Sequence, residues 1–282
     1  MEEPKPIVPG ETLFKVNSNG FVSLVDIMGD DAAICQAARI SHKNETSGAD
    51  VNLIRNLMRW GHWSPFEMCE IKMRVRAPIY VWRQWIRHRT ASVNEASLRY
   101  TSTSLFEVEH TATEEWRYEP GREEKADLDR CDLCLAETCS NSNALDTYEK
   151  MLEVGIVKEQ ARKVLPLATY TEAYWKIDLR NLLNFLKLRL ASGAQQAIRD
   201  YAEVIYNKIV MPNFPMTWQA FNDYVLNAET FSADELDILM RKAEGGDVVG
   251  WSIPGREGDD FIAKVEKHSQ RCAEQLRRSR LD

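Results

Sequence analysis

A chain of 282 residues, 44% hydrophobic and 28% charged, has the apolar material for one or two packed domains and is not the composition of a disordered linker. Its formal charge of −7 speaks against broad nucleic-acid binding, which draws on a basic surface, but leaves room for a local basic pocket that takes a small anion. No apolar run approaches the roughly 18–20 residues of a membrane span, and the opening MEEPKPIVPGE is acidic and proline-rich rather than secretory, so a cytoplasmic protein is expected.

Residues 1–19 read as a loose tail. From Gly20 to Met28, GFVSLVDIM has the β-branched density of a short buried strand. Gly29-Asp30-Asp31 offers a turn and a helix N-cap, and AAICQAARI continues at helical spacing. A second helix is expected from Ala49 to Trp60, with Leu53, Leu57 and Met58 on one stripe and Gly61 as its stop. Ile71, Met73 and Val75 then alternate with Lys72, Arg74 and Arg76, the period of a half-buried antiparallel strand. Pro78 suits the first turn of a helix carrying IYVWRQWIRHR, in which Trp82 and Trp85 read as core or interface.

Residues 107–130 are acidic and irregular, with a turn at Pro120-Gly121, and read as a surface excursion. Helices are expected from about Leu128 to Leu152, from Lys158 to Leu165 before Pro166, from Arg180 to Leu190 and from Gln195 to Val210. Residues 226–282 read as a polar helical extension beyond a domain spanning 20–225. Strands and helices do not alternate as a doubly wound sheet requires, and no G-x-G-x-x-G follows a strand. The fold class is therefore α+β, a mostly antiparallel sheet packed with long helices.

Six cysteines without an export signal read as thiols rather than a disulfide framework. Cys131, Cys134 and Cys139 have metal-like spacing but no histidine nearby to complete a zinc site, so no metal is expected.

The chemistry concentrates in RHRTASVNEASLRY, residues 87–100, where three arginines, a histidine, an asparagine, a glutamate and two serines follow an aromatic helix. Arginine without lysine suits bidentate recognition of phosphate. Composition alone leaves two readings open: a site for a polyanionic small molecule, or a structural cluster of ion pairs.

The order of the residues goes further. RHR followed by Ser, Asn, Glu, Ser, Arg and Tyr at these intervals resembles the signature of the flavin-dependent thymidylate synthases. GFVSLVDIMGDDAAICQAARIS, GHWSPFE, RAPIYVWRQWIRHR, ARKVLPLATYTEAYW and LRNLLNFLKLRL resemble other parts of that family, over roughly residues 20–225. The resemblance implies a homotetramer with sites at subunit junctions. It implies methylation of dUMP to dTMP with methylenetetrahydrofolate as carbon donor, FAD as cofactor and NADPH as reductant. It places dUMP on Gln84, Trp85, Ile86, Arg87, Glu95, Ala96, Ser97, Leu98, Arg99, Arg162 and Arg189. It places FAD on His62, Ser64, Arg87, His88, Arg89, Glu95, Asp178, Leu179, Arg180 and Asn184. Arg189 takes the catalytic role, stabilising negative charge that builds on the pyrimidine ring.

Bland alternatives accompany these roles. His62 follows a helix-terminating glycine and could simply cap that helix, and Asp178 and Arg180 could pair with each other. Leu98 stands where the family often has glycine, Gly193 where many members have histidine, and Asp178 where some have asparagine. A nucleotide-binding module that has lost catalysis would keep Arg87, Arg99 and Arg162 without needing Arg189 or the flavin residues.

Overall fold

Asn17, left-handed at φ 53°, turns the chain between the first two strands, and its side chain accepts the Gly20 N–H at 3.0 Å. A short asparagine tolerates that conformation because its side chain bonds locally. The hairpin it closes pairs β1 (Leu13–Val16) with β2 (Gly20–Met28). A computed structural model of the chain describes residues 12–17, 19–41, 50–97, 99, 130–243 and 261–266. The sheet thus begins inside the stretch expected to be loose tail. Residues 107–129, where the excursion is expected, lie outside the described residues, and Arg130 opens a helix.

The described residues fall into two compact units, divided between Leu226 and Asn227. The first is built on a five-stranded antiparallel sheet in the order β1-β2-β3-β5-β4, with β3 at Glu70–Pro78, β4 at Ser92–Glu95 and β5 at Tyr170–Asp178. The β5 strand is absent from the expectations above, yet its residues alternate cleanly. Ala173, Trp175 and Ile177 are buried while Tyr174 and Lys176 are exposed. The same alternation runs through β3, where Ile71, Met73, Val75 and Ala77 face the core.

Helices α1 (Asp31–Ala38), α2 (Asp50–Trp60) and α3 (Ile79–Trp85) precede β4. Helices α4 (Arg130–Glu153) and α5 (Lys158–Ala161) precede β5, and α6 (Leu179–Arg189) and α7 (Gln196–Val204) follow it. Asp30 caps α1 by accepting the Ala33 N–H at 2.9 Å. Gly61, at φ 68°, ends α2, with Gly61 N donating to Met58 O at 3.2 Å and His62 N to Leu57 O at 2.9 Å. The α3 helix is shorter than expected: Pro78 closes β3, and the helix stops at Trp85, so RHR lies in a turn. The helix expected over Lys158–Leu165 is one turn of α5 and a 3-10 turn, Arg162–Val164. Beyond α7 the chain continues as a π-helix, Ile205–Val210.

Trp85 is fully buried and meets Trp82, Trp175, Phe185 and Tyr201 at ring separations of 5.0–5.7 Å. One indole therefore joins α3 to β5, α6 and α7. Farther out, the buried Asp31 carboxylate accepts from Met216 N at 2.7 Å and from Thr217 Oγ1 at 2.6 Å, tying α1 to the first turn of helix Pro215–Phe221. Burial raises the Asp31 pKa, and those hydrogen bonds work in the opposite direction.

In the second unit, Ser232 and Glu235 form a capping box at the start of helix Ala233–Ala243. Lys264, on a helical turn at 261–266, reaches Glu235 at 2.8 Å. No helix among the described residues is long and apolar enough to cross a membrane. None of their His, Cys, Asp and Glu side chains cluster in threes as a metal would require, and the Cys131 side chain lies outside them. Cys35 and Cys69 are buried thiols, pushed up by burial to about 11 and about 12.

Because four elements share the Trp85 indole, Trp85→Ala should cost about 3–5 kcal/mol of unfolding free energy. Urea denaturation followed by circular dichroism measures this; a loss below about 1 kcal/mol would show that the cluster repacks around the gap.

Candidate active site

The last turn of α3 tightens as it ends. Arg87 N donates to Gln84 O at 3.3 Å and His88 N to Trp85 O at 3.0 Å, which swings the chain out of the helix toward β4. Trp85, locked in the core, sets where that turn sits. The signature therefore runs from a helix end through a turn to an edge strand whose four residues are all exposed. Past the strand, Ala96 N still donates to Glu172 O at 2.9 Å and keeps the chain on the sheet.

The C-terminal end of α6 reaches the same turn. Arg189 Nε donates to His88 Nε2 at 3.1 Å, and Arg189 Nη2 donates to the Gln84 carbonyl at 3.3 Å. An arginine Nε always carries its proton, so His88 Nε2 must be bare and the imidazole proton sits on Nδ1. Burial and, secondarily, the Arg189 charge pull the His88 pKa down to about 4, and burial lowers that of Arg189. The ring of Phe185 stands edge-on to His88 at 4.9 Å. Gln84 also meets Gln195, just before α7, and Arg199 holds that loop by donating to Ala194 O at 2.8 Å. Gln195 and Arg199 carry no signal in the signature itself; only the fold brings them here.

A second group assembles around the GHWSPFE turn. Arg180 pairs with Glu67, and Leu179 N donates to Cys69 O at 2.9 Å, so the start of α6 docks on the turn that presents His62 and Ser64. Asp178 does not pair with Arg180; it caps α6 by accepting the Asn181 N–H at 2.9 Å. His62 does cap α2 through its backbone, and its side chain is exposed. Ser64 and Asn184 are also exposed.

A third group pairs Arg99 with Glu159 at 2.7 Å beside Arg162, while Ser97 Oγ accepts the Arg99 N–H at 3.3 Å. Glu95 accepts from Thr171 Oγ1 at 2.9 Å. Arg87, Arg89 and Arg162 are exposed and have no carboxylate partner among the described residues. Of the three signature arginines, the structural ion-pair reading therefore fits Arg99, which pairs with Glu159, and not Arg87 or Arg89. Ile86 is exposed and Ala96 half-buried, whereas Leu98 lies outside the described residues. The side chains of Trp85 and Leu179 are closed off in the core, so only their backbone can reach a ligand. Their place is to position the arginines beside them. At Gly193 a Cβ would meet nothing within 4 Å, so the loop itself does not demand glycine.

The chain is similar to known proteins in both sequence and fold. The sequence model of the family described as "Thymidylate synthase complementing protein" matches residues 23–216. A flavin-dependent thymidylate synthase of Thermus thermophilus is 47% identical over 236 residues, covering 82% of this chain and 86% of that protein. The chain belongs to the flavin-dependent thymidylate synthase family. The enzyme of that name from Wolbachia pipientis wMel is 41% identical over 264 residues, 90% of this chain and 93% of its own. Among solved structures, the UMP/dUMP methylase PolB from Streptomyces cacaoi, bound with 5-Br UMP, superposes with a TM-score of 0.63 at 34% identity. That match covers 75% of this chain and 97% of PolB. The family match spans all three groups of residues described above, so the contacts within them belong to the shared domain.

The low His88 pKa makes folding sensitive to acid. A histidine whose folded value lies below its ordinary 6.5 favours folding in the neutral form. That stability is fully present above pH 6.5 and drains as the pH falls toward about 4. Wild type should therefore lose more stability between pH 7 and pH 5 than His88→Gln, which cannot titrate there. Equal losses in urea denaturation at the two pH values would contradict a neutral, half-buried His88.

Proposed function

We propose that the protein converts dUMP to dTMP in the cytoplasm, with methylenetetrahydrofolate as carbon donor, FAD as cofactor and NADPH as reductant. One observation carries this reading. Arg189 is half-buried, has no carboxylate partner among the described residues, and is held along one edge by His88 and the Gln84 carbonyl. Uracil C5 becomes nucleophilic only as negative charge builds on the ring, and a guanidinium fixed before the reaction stabilises that charge without reorganising. A purely nucleotide-binding module would have no use for it.

The remaining arginines suit the substrate's phosphate. Arg87 and Arg162 have no carboxylate partner among the described residues, and Arg99 holds Glu159, whose carboxylate a phosphate would displace. Ser97, Glu95, Ala96, Leu98 and the backbone of Trp85 and Ile86 complete the assignment, with the side chain of Gln84, which meets Gln195. No protein nucleophile is needed.

The donor set also fits a dinucleotide. His62, Ser64, Arg87, His88, Arg89, Glu95, Asp178, Leu179, Arg180 and Asn184 would hold FAD, the arginines supplying charge for its pyrophosphate. When bound, the flavin supplies the hydride that completes the methyl group. The chain's own part is to bind, orient and keep charge in place.

A homotetramer with sites at subunit junctions is part of the proposal. The edge strand β4, whose four residues are all exposed, and the exposed Val154, Val157 and Leu167 near α5 support it, since the described residues of one chain leave the signature strand uncovered.

The purified protein should be yellow and should form dTMP from dUMP, methylenetetrahydrofolate and NADPH, with UMP assayed in parallel. Arg189→Ala should cut dTMP formation by about 10²–10³-fold while dUMP binding persists. Near wild-type turnover would remove Arg189 from the chemistry.

If each site draws on two chains, Gln84→Ala and Arg99→Ala should complement each other. Unfolded together and reassembled, they should give roughly a quarter of the sites two intact halves, and activity above either parent. No recovery in mixed tetramers verified by mass spectrometry would mean that each site lies within one chain.

A further inference from the structure

The contacts of His88 are more specific than a flavin ligand requires. Its ring lies against Phe185, and its Nε2 meets Arg189, one turn farther along α6. A single helix therefore presents both the surface that orients the imidazole and the group that the imidazole binds. On the other side, the Gln84 carbonyl takes Arg189 Nη2. Nε and Nη2 form the side edge of a guanidinium, so both acceptors lie along one edge. The outer Nη1 proton and the outer Nη2 proton form a second fork, and no described side chain or carbonyl accepts from it. A guanidinium gripped on one edge has its open fork aimed in a fixed direction.

We infer that His88 is a positioning residue for Arg189: its bare Nε2 fixes the guanidinium so that the open fork faces the pyrimidine, leaving only Nδ1–H for the flavin. The inference rests on the reading that Arg189 acts on the pyrimidine ring. Neutrality is essential to the role, because a protonated imidazole would lose the acceptor and place a like charge beside Arg189. Burial and Arg189 itself hold the ring neutral at physiological pH. An arginine that swings by about 1 Å loses on the order of 10²-fold in rate even when the substrate still binds.

Two amide replacements separate the ring nitrogens. Glutamine places its terminal amide near the position of Nε2 and can accept from Arg189 Nε; asparagine reaches only the position of Nδ1. With FAD bound, both variants should keep flavin absorbance. His88→Asn should lose about 10²-fold in kcat with the KM for dUMP changed less than about threefold, and His88→Gln should recover at least about tenfold of that loss. Equal kcat values, or asparagine outperforming glutamine, would overturn the assignment.

A measurement on wild type guards against variants that fail to fold. In protein labelled with 15N at histidine and arginine, solid-state NMR at neutral pH should show one unprotonated imidazole Nε2 hydrogen-bonded to an arginine Nε. A proton on that Nε2 would overturn the inference. If wild type forms no dTMP, the functional reading falls instead, and the NMR result still decides the contact.

Discussion

The packing of Trp85 is the constraint on which the site depends. Its indole is the last residue of α3, and it touches β5, α6 and α7 at once. Gln84 precedes it and Ile86, Arg87 and His88 follow it directly, so fixing the ring fixes where five consecutive residues leave the helix. Phe185 extends the constraint to the other partner, packing on Trp85 and on His88 together, one turn before Arg189. An apolar contact thus determines the placement of a charged one. The aromatic cluster costs little entropy to order because its members have few rotatable bonds.

Charge is distributed in a graded way across the three groups of residues. Arg180 has Glu67 and Arg99 has Glu159, whereas Arg87, Arg89 and Arg162 have no carboxylate among the described residues, and Arg189 leans on neutral acceptors only. The overall charge is acidic, so this concentration of uncompensated arginine is local. Long-range attraction for an anionic substrate is correspondingly modest and falls with salt. Arg189 gains most from its surroundings, since a partly buried cation with neutral partners keeps its field for whatever enters beside it.

Much of this is legible in the sequence, for different reasons in different places. The N-cap at Asp30, the stop at Gly61 and the alternation of β3 follow from local chemistry, and the fold carries each one out. The β5 strand is equally periodic but carries Thr171, Glu172 and Lys176 among its apolar residues, which disguise it, and with it goes the reason why β4 is an edge. The end of α3 at Trp85 is not readable, because IYVWRQWIRHR keeps helical spacing past the point where the indole takes its tertiary contacts. The signature residues are readable through resemblance. Gln195 and Arg199 are not, and neither is the pairing of Glu67, itself part of GHWSPFE, with Arg180, since these partners lie more than a hundred residues away or in a loop whose course only the fold sets. The burial of Trp85 and Leu179 likewise shows that proximity in sequence to a binding residue differs from access to the ligand.

The strand order has a consequence for how the chain is made. Among the described strands β4 has β5 as its one neighbour, and β5 is synthesised long after it, beyond α4 and α5. As the nascent chain emerges from the ribosome, the hairpin β1-β2 and the strand β3 can pair in order, while the strand of the signature must wait for its template. Arg189 arrives later still. The signature strand is therefore the last part of the sheet to pair, and an incomplete chain that stops short of Tyr170 would carry every residue of the signature without the strand that holds β4 in place.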